Sequence, residues 1–419
     1  MITRSMVFLG KMKVFPLVLS IIMVFAGLSA CAQNNNNNNT TQTGPVTFGV
    51  SLSLTGDNSA DGQAIQQGYN LWVDYINSHG GLLGHQIKLI VYDDGTKTDQ
   101  TRVNYEKLIT VDKVNFVLGP FQDVFTVNAA EVAARHGYVL VQGTGTSHAD
   151  FTHGLNNMFS VSVSTGQYMT SLVNYILSLP VAMRPTSVAY AGTDSPFSQE
   201  QVTSARKPLE NGGLTTTMFQ IYPAENADLN PIAQKIVNSK AEVVILGTDT
   251  LQQCVAYLKY FKTQHYNPKL IIAASGPDQG APFSAALGVK DAEGILVANG
   301  EWWPTVKTYQ NDYFVSAFIK KYGGTADAIG SDTVQAFSVG QVMQQAINQA
   351  QSLDNAKVMA ALHTGTFQSL QGAVKFAPDG ENNIAIAYLF QWQKGSLIPV
   401  YPSAQAMANL EYPRPAWGS

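Results

Sequence analysis

Charge is scarce in this chain, and neither sign dominates. Asp, Glu, Lys and Arg make up 13% of the 419 residues, with 29 acids against 25 bases and a formal net charge of −4. That balance gives no electrostatic reason to expect nucleic acid or an anionic membrane surface as a partner. Cysteine is scarcer still. There are two, Cys31 and Cys254, too few for a thiolate metal cluster. The motifs of common catalysts are also missing: there is no G-x-S-x-G elbow, no phosphate loop ending in Gly-Lys-Ser/Thr and no H-E-x-x-H. Gly143-Thr144-Gly145 lacks the third glycine of a dinucleotide fingerprint. Asp93-Asp94 end an apolar run and serve either as an acid/base pair or as caps of the next helix. His148 and His153 lie around Asp150 in a loop, as metal ligands or as solvated side chains. Trp302-Trp303 either stack on a ligand or pack in the core or a hinge. These absences make an enzyme the weaker class and predict neither a cofactor nor a resident metal.

What is present is apolar, and its arrangement changes along the chain. Residues of the hydrophobic class are 45% of the total, and the length suits two domains rather than one small core. The first 30 residues read as an export signal: Arg4, Lys11 and Lys13 precede an uncharged apolar run from Val14 to Leu28, then Leu28-Ser29-Ala30-Cys31. The run is shorter than a membrane span usually requires. Cys31 at the cut site resembles a bacterial lipobox, which implies a lipidated cysteine, no intramolecular disulfide and an extracytoplasmic chain anchored to the cell membrane. Residues 31–45, with six consecutive asparagines from Asn34 to Asn39, read as a flexible tether.

From Val46 the pattern is strand and helix in alternation. Short β-branched runs at Val46–Ser51, Ile87–Tyr92, Val114–Leu118 and Tyr138–Gln142 are separated by runs with helical spacing. The series predicts a parallel sheet covered on both faces. It begins again after Phe159–Val163, with strands at Thr186–Ala191, Thr217–Ile221, Glu242–Leu246, Lys269–Ala273 and Gly294–Ala298. Helical runs at Tyr309–Tyr322 and Ser331–Gln351 follow, then antiparallel strands around the turn Pro378-Asp379-Gly380. Cys254 falls on the apolar face of a helix, as a buried thiol. Two α/β blocks of like rhythm predict two lobes. Each strand opens into a loop of small polar residues, the edge where open α/β sheets bind ligands. Gly119–Asp123 and Gly143–Ser147 are the leading loops.

Four stretches then resemble one family. They are Gly49 to Gly56 (GVSLSLTG), Ile76 to Ile87 (INSHGGLLGHQI), Tyr92-Asp93-Asp94 and Val117 to Pro120 (VLGP). Together they are similar to the leucine/isoleucine/valine-binding family of ABC-transporter substrate-binding proteins. The resemblance implies an α/β type I periplasmic-binding-protein fold: two lobes with mostly parallel sheets, joined by three hinge crossings near Val163, Asn299 and Gly372. Lobe 1 is then 46–163 with 300–372, lobe 2 is 164–299 with 373–402, and 403–419 is a C-terminal tail. The implied function is capture of an amino acid (branched-chain type) or small amide-like ligand between the lobes. A monomeric receptor would deliver it to an ABC permease; a sensor coupled to a signalling partner is the alternative.

Carried over by position, the ligand's carboxylate would meet donors near Gln122, Asp123, Thr144, Gly145 and Thr146. Phe197 would supply an aromatic wall, Asp249 stands where a second aromatic is usual, and Asp278 would face the ligand's ammonium group. Two departures stand out. Gln122-Asp123 replace the usual serine after Gly-Pro, and Asp61 replaces an aromatic. If ionised and facing the cleft, these acids point to a ligand with fewer anions or more N–H donors. If Asp123 instead caps the following helix, it never meets the ligand.

Overall fold

The computed structural model describes residues 44–418. The expected export signal, the expected lipidation site Cys31 and most of the expected tether lie outside them. Five parallel strands form the first sheet, in the order β2-β1-β3-β4-β5. These are β1 (Val46–Leu52), β2 (Ile87–Asp93), β3 (Phe116–Leu118), β4 (Leu140–Gln142) and β5 (Met158–Ser160). Residues 46–52 of β1 pair in parallel register with 87–93 of β2. β3 and β4 are three residues long, buried throughout and closed by glycine; β4 ends in the buried polar Gln142.

The second sheet is larger and mixed. It contains β6 (Ser187–Thr193), β7 (Thr215–Tyr222), β8 (Val243–Gly247), β9 (Leu270–Ala273) and β10 (Ile295–Gly300). A hairpin, β11 (Phe367–Ser369) and β12 (Gly372–Val374), stands apart from both sheets. β13 (Tyr388–Gln393) and β14 (Ser396–Tyr401) add antiparallel to β10, giving the order β14-β13-β10-β9-β8-β6-β7. Each sheet is sandwiched between apolar clusters, such as Phe48, Trp72, Phe116 and Phe337 on the first and Ile271, Cys254, Tyr257 and Phe261 on the second. Cys254 is fully buried among them.

Two 20-residue helices, Ser59–Ser78 and Ser331–Ala350, pack side by side on the first sheet. Glycine sets how closely they approach. A Cβ on Gly340 would lie 2.2 Å from the Trp72 ring, and one on Gly68 would lie 2.2 Å from the Thr333 carbonyl oxygen. The Trp72 ring in turn meets Phe48 edge-on at 5.0 Å. Because the helices run so close, the acid in the first turn of each, Asp61 and Asp332, reaches the same spot.

Two of the expected boundaries shift. Residues 373–383, assigned on sequence to the second lobe, pack on the first sheet. Val374 and Phe376 join its core, the Ser160 amide donates to the Gly380 carbonyl at 2.9 Å, and Asn382 Nδ2 donates to the Val161 carbonyl at 2.8 Å. The apolar run that reads as one strand from Ile384 to Gln393 becomes regular only at Tyr388, where β10 offers a partner. Ile384 and Ile386 before it are exposed. Residues 403–418 are not a loose tail. Arg414 is buried, its amide donates to the Lys269 carbonyl at 2.9 Å, and Trp417 Nε1 donates to the Tyr266 carbonyl at 2.8 Å.

Candidate functional site

The polar ends of the two sheets enclose a cavity of ≈ 580 Å³ that is open to solvent. Asp61, Phe121, Gln122, Asp123, Thr144, Thr146, Asp332 and Gln335 line it from the first lobe. Phe197, Asp249, Ser275 and Asp278 line it from the second. Of the ligand-contact positions expected from the family resemblance, Gly145 alone is not at the surface of this cavity. It lies beneath, where a Cβ would come within 2.7–2.9 Å of the Thr126 side chain.

The loops after β3 and β4 are fixed from below by buried tyrosines. Tyr105 Oη donates to the Leu118 carbonyl at 2.6 Å and Tyr69 Oη to the Gly119 carbonyl at 2.8 Å. Several of the N–H groups that these loops were expected to offer an anion already have partners. The Gln122 amide donates to Thr144 Oγ1 at 3.2 Å, and that hydroxyl donates to the Pro120 carbonyl at 2.9 Å. The Gly145 amide donates to Gln142 Oε1 at 2.7 Å. The Thr146 and Ser147 amides both donate to Asp123 Oδ1, at 2.9 and 3.3 Å. Gln122 itself adopts φ +64°, a conformation that favours glycine, so the loop is held in a strained shape.

Asp123 lines the cavity, and its Oδ1 accepts from the amides of the neighbouring loop rather than from its own helix. It opens the helix Asp123–Arg135 and is 3% exposed. Asp150 shares this buried spot. Burial and the Asp123 charge push the Asp150 carboxyl up to about 10, so the pair holds a proton between them. His148, in the same loop, pairs with Glu381 at 2.9 Å, and that carboxylate raises the imidazole's pKa. Among the described residues no three His, Cys, Asp or Glu side chains are arranged to hold a metal ion.

A second group of acids sits at the mouth of the helix pair. Asp61 is 5% exposed; among the described residues it bonds its own backbone N–H and the Asp332 carboxyl. Asp332 was missed on sequence, where it is simply an early residue of a long helical run. Asp278 approaches from the second lobe. It accepts from the Gly276 amide at 2.8 Å and from Ser331 Oγ at 2.6 Å, the latter a bond between lobes. Gln279 Nε2 donates to Asp332 Oδ2 at 3.1 Å, again across the cleft. Burial, then the Asp278 charge, pushes Asp61 up to about 7; burial, then Asp61 and Asp278, raises Asp332 well above the carboxylate range.

Asp249 lies apart from that trio. Ser195 Oγ and Thr193 Oγ1 each donate to it at 2.6 Å, and burial pushes it up to about 6. Phe197, in the first turn of the helix Pro196–Asn211, meets Tyr168 edge-on at 6.3 Å and forms an aromatic wall. Neither Trp302 nor Trp303 reaches the cavity. Trp302 Nε1 donates to Asn311 Oδ1 at 2.6 Å, and Trp303 packs on Tyr388 and Phe390. Asp93 and Asp94 are also outside it: Asp94 accepts from Ser51 and Ser53, and Asp93 from the amides of Leu54, Thr55 and Gly95.

One further residue escaped the sequence reading. Glu301 follows β10 at a crossing between the lobes and is fully enclosed, which pushes its carboxyl up to about 8. It accepts from the Val163 amide at the first crossing and from Gln371 Nε2, at 2.6 Å, in the β11–β12 turn. A single side chain thus ties two crossings to the first lobe.

With this geometry in view, comparison with known proteins is informative. A family profile described as periplasmic binding protein matches residues 45–396. A Leu/Ile/Val-binding protein homolog 7 from Brucella melitensis is 24% identical over 384 residues, covering 88% of this chain and 92% of that protein. Among solved structures, the branched-chain amino acid transporter substrate-binding protein LivJ from Streptococcus pneumoniae, in complex with isoleucine, superposes with a TM-score of 0.70. The identity is 18%, and the match covers 88% of this chain and 100% of LivJ. A solute-binding protein of an R. palustris ABC transporter, in complex with benzoate, gives 0.73 at 18% identity, covering 90% and 99%. These neighbours share the type I periplasmic-binding-protein fold.

Proposed function

Because this chain belongs to the periplasmic binding protein family, we propose that it is an extracytoplasmic solute receptor of an ABC importer. The N-terminal lipobox tethers it to the cell membrane through Cys31. The cleft captures a small nitrogenous solute, of the amino acid or amide-like class, and the closed form is delivered to a membrane permease. The observation that carries this reading is the cavity itself, whose walls come from both lobes at the polar ends of their sheets. A solute there bridges Asp61 and Asp332 on one side to Asp278 on the other, so contacts made only in the closed form favour closure. Within the solute class, the internal use of the amides of Gln122, Gly145 and Thr146 favours ligands rich in N–H and poor in carboxylate.

The test is native mass spectrometry of freshly purified protein. The reading expects one small molecule per chain, released on unfolding and chemically unchanged. A protein that carries nothing, and whose melting temperature no solute of a broad metabolite panel raises, contradicts it.

A further inference from the structure

Three observations bear on the charge of the solute. The first is the sign of the walls. Asp61, Asp123, Asp249, Asp278 and Asp332 line the cavity, and among the described residues no Lys, Arg or His does. The second is the state of the donors: the loop amides of Gln122, Gly145, Thr146 and Ser147 are bonded to the protein's own acceptors. The third is the state of the acids. Asp61, 95% buried and facing the cavity, is bonded among the described residues only to its own backbone N–H and the Asp332 carboxyl. A buried carboxyl group left this way costs stability unless a cation or a proton completes it.

The acids are also distributed in two places. Asp61, Asp278 and Asp332 perturb one another. Asp249 feels Asp123 and Asp194 instead and is held by Ser195 and Thr193 on the second lobe. Phe121, Val124, Tyr168, Pro196 and Phe197 supply apolar surface in the same cavity.

We propose that the cleft binds a carboxylate-free dication of the diamine class, with one ammonium in the Asp61–Asp278–Asp332 cluster, the other at Asp249, and its methylene chain on the aromatic wall. This rests on the cleft reading above and narrows its solute. A diamine supplies three N–H donors at each end, which matches carboxyl groups that have acceptor capacity to spare. An amino acid would bring its carboxylate into a cavity whose charged side chains, among the described residues, are all acids.

The test is isothermal titration calorimetry of the full mature chain with 1,4-diaminobutane, 1,5-diaminopentane, isoleucine and acetamide. The expected result is 1:1 binding of at least one diamine, tighter than isoleucine and acetamide. Asp61→Asn should weaken it by about 30-fold or more, and Asp249→Asn should weaken the diamine more than a monoamine of equal length. Tighter binding of isoleucine or acetamide than of either diamine overturns the proposal, as does unchanged diamine affinity in a folded Asp61→Asn variant. Should none of the four bind, the diamine assignment falls, while the carried solute seen by native mass spectrometry decides separately whether the cleft is a receptor site.

Discussion

The two acid-bearing corners of the first lobe make an instructive contrast. At the loops after β3 and β4, the amides of Gln122, Gly145, Thr146 and Ser147 donate to protein acceptors, and Asp123 takes up two of them. At the N-termini of Ser59–Ser78 and Ser331–Ala350, two carboxyl groups are pressed together with little to satisfy them. Both corners face the same cavity. The first is a finished structure and the second is not. Binding capacity follows the unsatisfied groups rather than the topologically favoured edge.

The largest effect should come from relieving the unsatisfied corner. Asp332→Asn removes one of the mutually repelling acids, so the ligand-free protein should melt higher while diamine binding weakens by about 30-fold or more. Calorimetry and thermal melts on one preparation check both, and a variant that loses stability along with affinity would remove the contrast. A change in the helix packing that creates this corner comes next. Gly340→Ala drives a methyl group into the Trp72 ring and should cost about 1–3 kcal/mol in chemical denaturation. Glu301→Ala should cost a similar ~1–3 kcal/mol, by leaving the Val163 amide and Gln371 without their acceptor.

The finished corner should respond differently. Thr144→Ala should lower stability by ~1 kcal/mol, since its hydroxyl serves the Gln122 amide and the Pro120 carbonyl. Its effect on ligand affinity, measured by calorimetry, should be slight. The smallest effect is one of pH. Asp249, Asp61 and Glu301 hold their protons up to about 6, 7 and 8 in the folded chain, against about 4 for carboxyls in the unfolded one. Folding therefore takes up protons in that window, and stability falls as pH rises through it. The ligand-free melting temperature should be several degrees higher at pH 6 than at pH 8.5. A cation that needs the ionised acids should bind more weakly at the lower pH.

Much of the fold was legible because it rests on local pattern. The Val114–Ser147 unit is a strand, a helix and a strand at the expected places, since short β-branched runs closed by glycine leave few alternatives. Thr144, Thr146 and Asp278 could likewise be placed at strand ends and at the cavity. What a hydroxyl or amide bonds to there is set by tertiary neighbours: Asp123 meets Thr146 across 23 residues, and no spacing announces it. Asp332 was invisible for the same reason. It becomes a site residue only because Gly68 and Gly340 let two distant helices approach. The boundary near Gly372 failed because β12 pairs with β11 and its successor returns to the first sheet, a pairing that alternation alone does not specify.

The central claim, a two-lobed cleft that closes over a cation, is tested most directly by small-angle X-ray scattering of the mature chain. With saturating 1,4-diaminobutane the radius of gyration should fall relative to the ligand-stripped protein, and with isoleucine it should not. Compaction by isoleucine and none by the diamine would contradict the account.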